Sequence, residues 1–123
     1  MDWIGCDLDH TLAEYESGMA EKAEIGAPIP RMVKRIKQHL TDGYEVRIVT
    51  ARVNTHTAPL AEVIRQRTAI ETWCLKHLGV TLPVTCEKDY AMIFLYDDRA
   101  VAIEPGTGRL LSPKFPLAKR NQA

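Results

Sequence analysis

The chain has 123 residues, of which 16 are basic and 16 are acidic, so its formal net charge is zero. This length predicts one domain, and a hydrophobic content of 46% is enough for a core and excludes an intrinsically disordered chain. The balanced charge excludes a global attraction to nucleic acid or to an anionic membrane.

The three cysteines, Cys6, Cys74 and Cys86, are odd in number and have no C-x-x-C spacing. Such a set argues against a disulfide framework and is typical of a reducing cytosol. We interpret Cys6 as a small residue of a buried strand rather than as a nucleophile. The main motif begins within the first few residues and leaves no room for a signal peptide, and no apolar run is long enough to cross a bilayer. We therefore expect a cytoplasmic protein.

In chain order, the first predicted strand covers residues 2–6 and is buried on both faces. Residues 7–12 form the turn that leaves this strand. Residues 13–29 lack periodicity and contain Gly18 and Gly26, which predicts a flexible flap with one helical turn.

Two helices follow the flap. The first is expected to begin at Pro30, because proline suits the first turn, and to end at Gly43. The second covers residues 58–78 and is closed by Gly79. Apolar residues recur at helical spacing in both segments, which predicts that each helix packs one face against a core.

The remaining segments read as strands, at residues 44–49, 80–86, 92–96 and 101–103, with a hairpin partner at 109–111. Pro83 predicts an edge position for the third strand, because proline cannot donate to the ladder. Residues 112–123 read as a loose C-terminal tail. The alternation of strands and helices predicts an α/β fold with a largely parallel sheet, in which ligands bind beyond the carboxyl ends of the strands.

The chemically informative residues all come at the ends of predicted strands. In order, these ends carry Asp7 with Asp9, then Thr50, then Lys88, then Asp97 with Asp98. Four carboxylates at one edge of a sheet repel one another unless a divalent cation such as Mg²⁺ lies between them. A hydroxyl and an ammonium beside that cation would bind an anion, most simply a phosphoryl group.

This set of groups predicts phosphoryl chemistry. One carboxylate that faces the phosphorus could attack it and form an aspartyl-phosphate. A second carboxylate, offset by two residues, could give a proton to the leaving oxygen and later take one from water.

The motifs resemble those of the haloacid dehalogenase (HAD) superfamily of aspartate-nucleophile phosphatases. Its four motifs are matched by residues 7–12 (Asp-Leu-Asp-His-Thr-Leu), residues 46–52, Lys88 and residues 94–99. The resemblance covers residues 2–104. It implies a three-layer, Rossmann-like α/β fold with a mostly parallel sheet, a minimal core without a cap domain.

The resemblance also implies roles for the acids. Asp7 would be the nucleophile. Asp9 would be the general acid and base, with its backbone carbonyl on Mg²⁺. Asp97, Asp98 or both would complete the metal site.

For the phosphoryl group, the resemblance implies that Thr50 and the backbone amide of Ala51 hold its oxygens. Lys88 would balance charge and orient Asp7. Three arginines are candidates for gripping the substrate: Arg52, Arg65 and Arg99.

The chain departs from the family pattern in two places. The position after Asp9 is usually glycine in the family, and here it is His10, which either touches substrate at the entrance or is a turn residue in solvent. Only residues 89–91 separate Lys88 from the fourth strand, where the family usually has a helix.

The flap is too short to be a cap domain, so the resemblance implies a site that is open or is covered by a second subunit of a homo-oligomer. An open site suits a bulky phosphoester such as a nucleic-acid end or a phosphoprotein. Small nucleotides and sugar phosphates remain alternatives.

Two other interpretations compete with a phosphatase. A phospho-accepting receiver domain uses similar groups, but its acidic pair comes early and its lysine late, and it lacks the proton-transfer group that Asp9 would supply. The other is a catalytically weak HAD-like module that binds partners. Hydrolysis and phosphoryl transfer to another acceptor are both open.

Overall fold

The computed structural model describes residues 2–112, which form one sheet and two main helices. The elements are β1 Trp3–Asp7, α1 Pro30–Thr41, β2 Glu45–Val49, α2 Leu60–Leu78, β3 Val84–Thr85 and β4 Met92–Tyr96. The strands form a single sheet in the order β3-β2-β1-β4, and every neighbouring pair is parallel. The predicted α/β, Rossmann-like fold class is therefore confirmed.

Strand β1 lies in the middle of the sheet and is buried on both faces, as its continuous apolar sequence predicts. Ile4 and Cys6 point to one face, where they join the main core. Trp3 and Gly5 belong to the opposite face. A Cβ on Gly5 would lie 2.8 Å from Leu95 Cδ1, so a larger residue would require the Leu95 side chain to shift.

Both helices lie against the same face of the sheet. Ile36 of α1 joins Ile70 of α2 in a core cluster that also contains Ile4 and Ile48 of the strands. The chain passes from β1 to β2 to β3 in one direction across the sheet, and right-handed crossovers then place both helices on one side.

The opposite face is covered by a short connection. Trp3 is fully buried there, and its indole Nε1 donates to Asp89 Oδ1 at 2.9 Å. The Arg47 guanidinium lies 4.5 Å from the centroid of the Trp3 ring. Asp89 belongs to residues 86–91, which join β3 to β4 without a helix. Within residues 2–112, this face of the sheet carries no helix, so the described residues form two layers and not the predicted three, because residues 86–91 join β3 to β4 without a helix.

Several element boundaries differ from the sequence predictions. Helix α2 begins at Leu60 rather than at residue 58, because Pro59 is extended. Strand β3 is reduced to Val84–Thr85, at the edge that Pro83 predicts. Residues 101–103 do not form the predicted fifth strand. They do pair with residues 109–111 as the predicted hairpin, through one antiparallel bridge between Ile103 and Leu110.

Residues 113–123 of the predicted tail lie outside the described residues. Within the described part of the chain, neither helix combines the length and apolarity needed to cross a membrane.

The flap, residues 13–29, contains the predicted single helical turn at Ala20–Lys22. Backbone hydrogen bonds hold the two ends of the flap together: Glu14 N donates to Ala27 O at 2.8 Å, and Ile29 N donates to Leu12 O at 2.9 Å. Trp73 of α2 donates from Nε1 to Gly26 O at 2.9 Å. The flap is thus fastened to the body of the domain rather than free.

Candidate active site

A cavity of about 630 Å³ opens at the carboxyl ends of the strands. Its lining comes from the ends of all four strands, from the turn after β1 and from the flap. The lining residues are Asp7, Asp9, His10, Tyr15, Ala20, Val49, Thr50, Ala51, Arg52, Asn54, Cys86, Asp97 and Arg99. This is the edge of the sheet at which the topology predicts ligand binding.

Three carboxylates meet at the centre of this edge. Asp7 is the last residue of β1, and Asp97 and Asp98 follow β4, which pairs directly with β1. One carboxylate oxygen from each of the three lies within 4.8 Å of the others. The structure therefore brings together three of the four acids that the sequence predicts for a metal site.

The surroundings of Asp7 disfavour its ionisation. Burial, a hydrogen bond with Asp98 and the charge of Asp97 raise the pKa of Asp7 from 3.8 to about 7. A hydrogen bond from Leu8 N to Asp7 Oδ1, at 2.9 Å, opposes this rise.

These acids fit a hard divalent cation. All three offer carboxylate oxygens, which are the ligands that Mg²⁺ prefers, and the cation would offset the negative charge of Asp97 and Asp98 beside Asp7. Asp9 does not belong to the cluster of carboxylates found among the described residues. The predicted contribution of Asp9 to a metal site was its backbone carbonyl, and that stays a prediction.

Thr11 is a residue that the sequence reasoning missed. It is buried, its Oγ1 donates to Asp98 Oδ1 at 2.9 Å, and Asp98 N donates back to Thr11 Oγ1 at 3.1 Å. This reciprocal pair fixes Asp98 against the turn that follows β1. The sequence shows a hydroxyl two residues after Asp9, but it does not show the hydrogen-bond partner, because Asp98 lies 87 positions further along the chain.

Asp9 faces a different partner from Asp7. Its two carboxylate oxygens accept from Arg52, Oδ2 from Nε at 2.9 Å and Oδ1 from Nη2 at 2.8 Å. Arg52 lies in the Ala51–Val53 turn after β2, and its side chain is only 4% exposed. Arg52 lines the cavity, as a substrate-binding residue would, but its guanidinium is occupied by the protein.

Thr50 and Ala51 lie where the second strand ends, on the wall of the cavity. Thr50 is buried, and its Oγ1 accepts from Arg52 N at 3.2 Å, which begins the short turn. A side-chain hydroxyl and the start of a turn therefore face the same space as Asp7.

Lys88 is not brought to this site. It is exposed, and it is absent from the described residues that line the cavity. The physical reason is that β3 ends at Thr85 and residues 86–91 then pack on the face of the sheet that carries Trp3. There Asp89 accepts a hydrogen bond from the Trp3 indole. Of the other predicted cations, Arg99 lines the cavity and is exposed, whereas Arg65 pairs with Glu62 outside it.

Cys6 is excluded as a nucleophile by its environment. The thiol is fully buried in the core, and burial together with the charge of Asp7 raises its pKa far above the usual range. The interpretation of Cys6 as a packing residue is in agreement with this position.

His10 occupies a backbone conformation that normally selects glycine. Its φ is 70°, in the left-handed region, and its side chain is exposed at the cavity. Its ring lies 5.3 Å from that of Tyr15, centroid to centroid. The backbone angle gives a physical reason why a glycine would suit this position.

An alanine variant is usually more stable than a glycine variant, and we expect the opposite at position 10. His10→Gly relieves the left-handed strain and His10→Ala keeps it, so the free energy of unfolding of His10→Gly should be higher by about 1 kcal/mol. Urea denaturation of the two variants measures the difference. An alanine variant as stable as the glycine variant would contradict the strain.

Gln66 is a second residue that the sequence reasoning missed. It is buried on α2, where its Nε2 donates to Ala20 O of the flap at 2.6 Å and its Oε1 accepts from Arg52 Nη1 at 3.3 Å. The sequence indicated Gln66 only by its place on the buried face of the helix, between Val63 and Ile70, where a polar side chain needs a hydrogen-bond partner.

No known protein family, no curated protein and no solved structure matches this chain.

Proposed function

We propose that the protein is a Mg²⁺-dependent phosphomonoester hydrolase that works through an aspartyl-phosphate on Asp7. The observation that carries this proposal is the meeting of Asp7 with Asp97 and Asp98 at the carboxyl edge of a parallel sheet. Thr50 and Ala51 on the same cavity wall supply groups for a phosphoryl anion. The resemblance of the motifs to the HAD superfamily supports the same reaction.

Asp7, Asp97 and Asp98 would hold the cation through their carboxylates. When bound, Mg²⁺ supplies positive charge that offsets the negative charge of the acids and of the phosphoryl oxygens. The half-buried carboxylate of Asp7 would then stay ionised and ready to attack.

In the first step, an Asp7 oxygen attacks phosphorus, the bond from phosphorus to the leaving oxygen breaks, and the Asp9 carboxyl gives its proton to that oxygen. In the second step, water attacks the phosphorus of the aspartyl-phosphate and gives a proton to Asp9. The bond between Asp7 and phosphorus breaks, which releases inorganic phosphate and restores the Asp7 carboxylate.

The order of the groups along the chain favours this reaction over a receiver domain. Asp7 and Asp9 come first and the Asp97-Asp98 pair comes last, with Asp9 on the same cavity as Asp7. A receiver domain has no use for a second carboxylate that transfers protons. A HAD-like binding module without catalysis is an outcome of the experiment below.

The proposed substrate is a phosphomonoester, either a small molecule or a nucleic-acid end. Arg99 is exposed and lines the cavity, and it would supply the cation that meets this substrate. The proposed setting is the cytoplasm, where the free cysteines Cys6, Cys74 and Cys86 would stay reduced. A second copy of the chain would cover the open cavity if the protein is a homo-oligomer.

Phosphate release from a mixed panel tests the proposal. The panel contains p-nitrophenyl phosphate, nucleotides, sugar phosphates and oligonucleotides phosphorylated at the 3′ or 5′ end. We expect release in Mg²⁺ and loss of at least about 10²-fold in EDTA, because the acids would then repel the phosphoryl anion. Absence of release from every substrate, with Mg²⁺ bound, would favour the binding module instead.

A further inference from the structure

All three guanidinium nitrogens of Arg52 are engaged by the protein. Two of them hold the Asp9 carboxylate, at 2.8 and 2.9 Å. The third, Nη1, donates to Glu24 O of the flap at 2.8 Å and to Gln66 Oε1 of α2 at 3.3 Å. The Arg52 side chain is only 4% exposed, and its contacts with Asp9 and Gln66 are partly buried, whereas its contact with Glu24 O lies at the surface.

A two-point contact between a guanidinium and a carboxylate fixes the rotation of the carboxylate as well as its position. A carboxylate has about four lone-pair directions, and Arg52 uses two, so Asp9 keeps directions in which it can exchange a proton. Because Nη1 holds Glu24 O, the orientation of Asp9 is joined to the position of the flap.

We propose that Arg52 is a positioning residue, which holds Asp9 in the orientation that proton transfer requires and joins that orientation to the flap. The catalytic half of this proposal rests on the proposed phosphatase function. It differs from the role expected from the sequence, in which Arg52 binds the substrate itself.

Arg65 provides a matched control. Its Nη2 donates to Glu21 O of the same flap at 2.8 Å, and its guanidinium pairs with Glu62 on its own helix. Among the contacts of the described residues, Arg65 has none with Asp9. Arg65 therefore resembles Arg52 in its contact with the flap and differs from it in having no contact with Asp9.

The first test compares Arg52→Lys with Arg65→Lys on two substrates. Lysine keeps the positive charge and loses the two-point contact, which separates orientation from charge. The p-nitrophenolate group leaves without a proton, whereas the alkoxide of glycerol phosphate needs one. We expect kcat/KM of Arg52→Lys to fall about 10- to 100-fold further for glycerol phosphate than for p-nitrophenyl phosphate.

Arg65→Lys should change kcat/KM for both substrates by the same small factor. Equal losses on the two substrates in Arg52→Lys would overturn the positioning role, because a general structural defect lowers both alike. If Arg52→Lys does not fold, Gln66→Met removes one support of Arg52 and should shift the ratio of the two substrates in the same direction.

The second test needs no turnover. Hydrogen exchange of the flap amides at 22–24 is compared in Asp9→Asn and Asp97→Asn, which each remove one cavity carboxylate. Asp9→Asn should speed exchange several-fold, because Arg52 loses its charged partner, and Asp97→Asn should not. Equal exchange in the two variants would overturn the link to the flap.

The two tests separate the two proposals. A wild-type chain that releases no phosphate overturns the phosphatase function and the catalytic role of Arg52 with it, while hydrogen exchange still decides whether Arg52 joins Asp9 to the flap.

Discussion

Asp7→Asn should abolish phosphate release, lowering kcat by about 10³-fold or more. The amide cannot act as the nucleophile, so the proposed aspartyl-phosphate cannot form. Asp7 is the acid at the end of the central strand, and its carboxylate lies with those of Asp97 and Asp98. The best substrate of the panel, assayed in Mg²⁺, gives the measurement.

A matched control for this variant is Asp42→Asn, the same change at an exposed residue that ends α1. Its activity should stay within about twofold of the wild type, because surface substitutions away from a site have small effects. Asp7→Asn activity within tenfold of the wild type would show that another group attacks phosphorus. Trapping of radiolabelled phosphate on the wild-type chain, and not on the variant, identifies the same atom independently.

The second large effect concerns stability in the absence of metal. The pKa of Asp7 is about 7 in the folded chain against an ordinary value of 3.8, so the folded state binds the proton more tightly than the unfolded state does. The contribution of Asp7 to the free energy of unfolding should therefore be fully present below about pH 4, fall as pH rises to about 7, and be lost above that. The loss should be on the order of 2 kcal/mol. This is less than the full pKa difference would give, because solvent screens a half-buried carboxyl.

Mg²⁺ should reverse this loss at pH 8, because an ion that binds only the folded state stabilises it. Thermal unfolding in EDTA and in Mg²⁺, at pH 5 and pH 8, measures both effects. About 1 kcal/mol of the loss falls between these two pH values, which corresponds to roughly 3–6 °C in Tm. Asp7→Asn should remove most of the pH dependence and Asp42→Asn should keep it. A wild-type Tm that is equal at the two pH values in EDTA would contradict the raised pKa.

The two acids of the first motif have separate environments although one residue lies between them. Asp7 meets two other carboxylates, whereas Asp9 meets the guanidinium of Arg52. One environment suits a cation, and the other holds in place the acid to which we assign proton transfer. This division supports different roles for the two acids in one reaction.

The sequence by itself determined the fold class and the order of chemical groups along the sheet. Apolar runs bounded by glycine and proline marked the strands and helices, and a parallel sheet places the ends of β1 and β4 at one edge. The meeting of Asp7 with the Asp97-Asp98 pair follows from that topology. Local patterns were sufficient here because strand direction alone brings the residues together.

Only the tertiary structure decided which side chains support the acids and which groups stay outside. Thr11 holds Asp98 across 87 positions, and Arg52 holds Asp9 across 43. Lys88 lies outside the cavity because residues 86–91, which follow β3, pack on the face of the sheet opposite the two helices. These outcomes depend on loop paths and side-chain rotamers, which follow from long-range packing and are not encoded in any local period of the sequence.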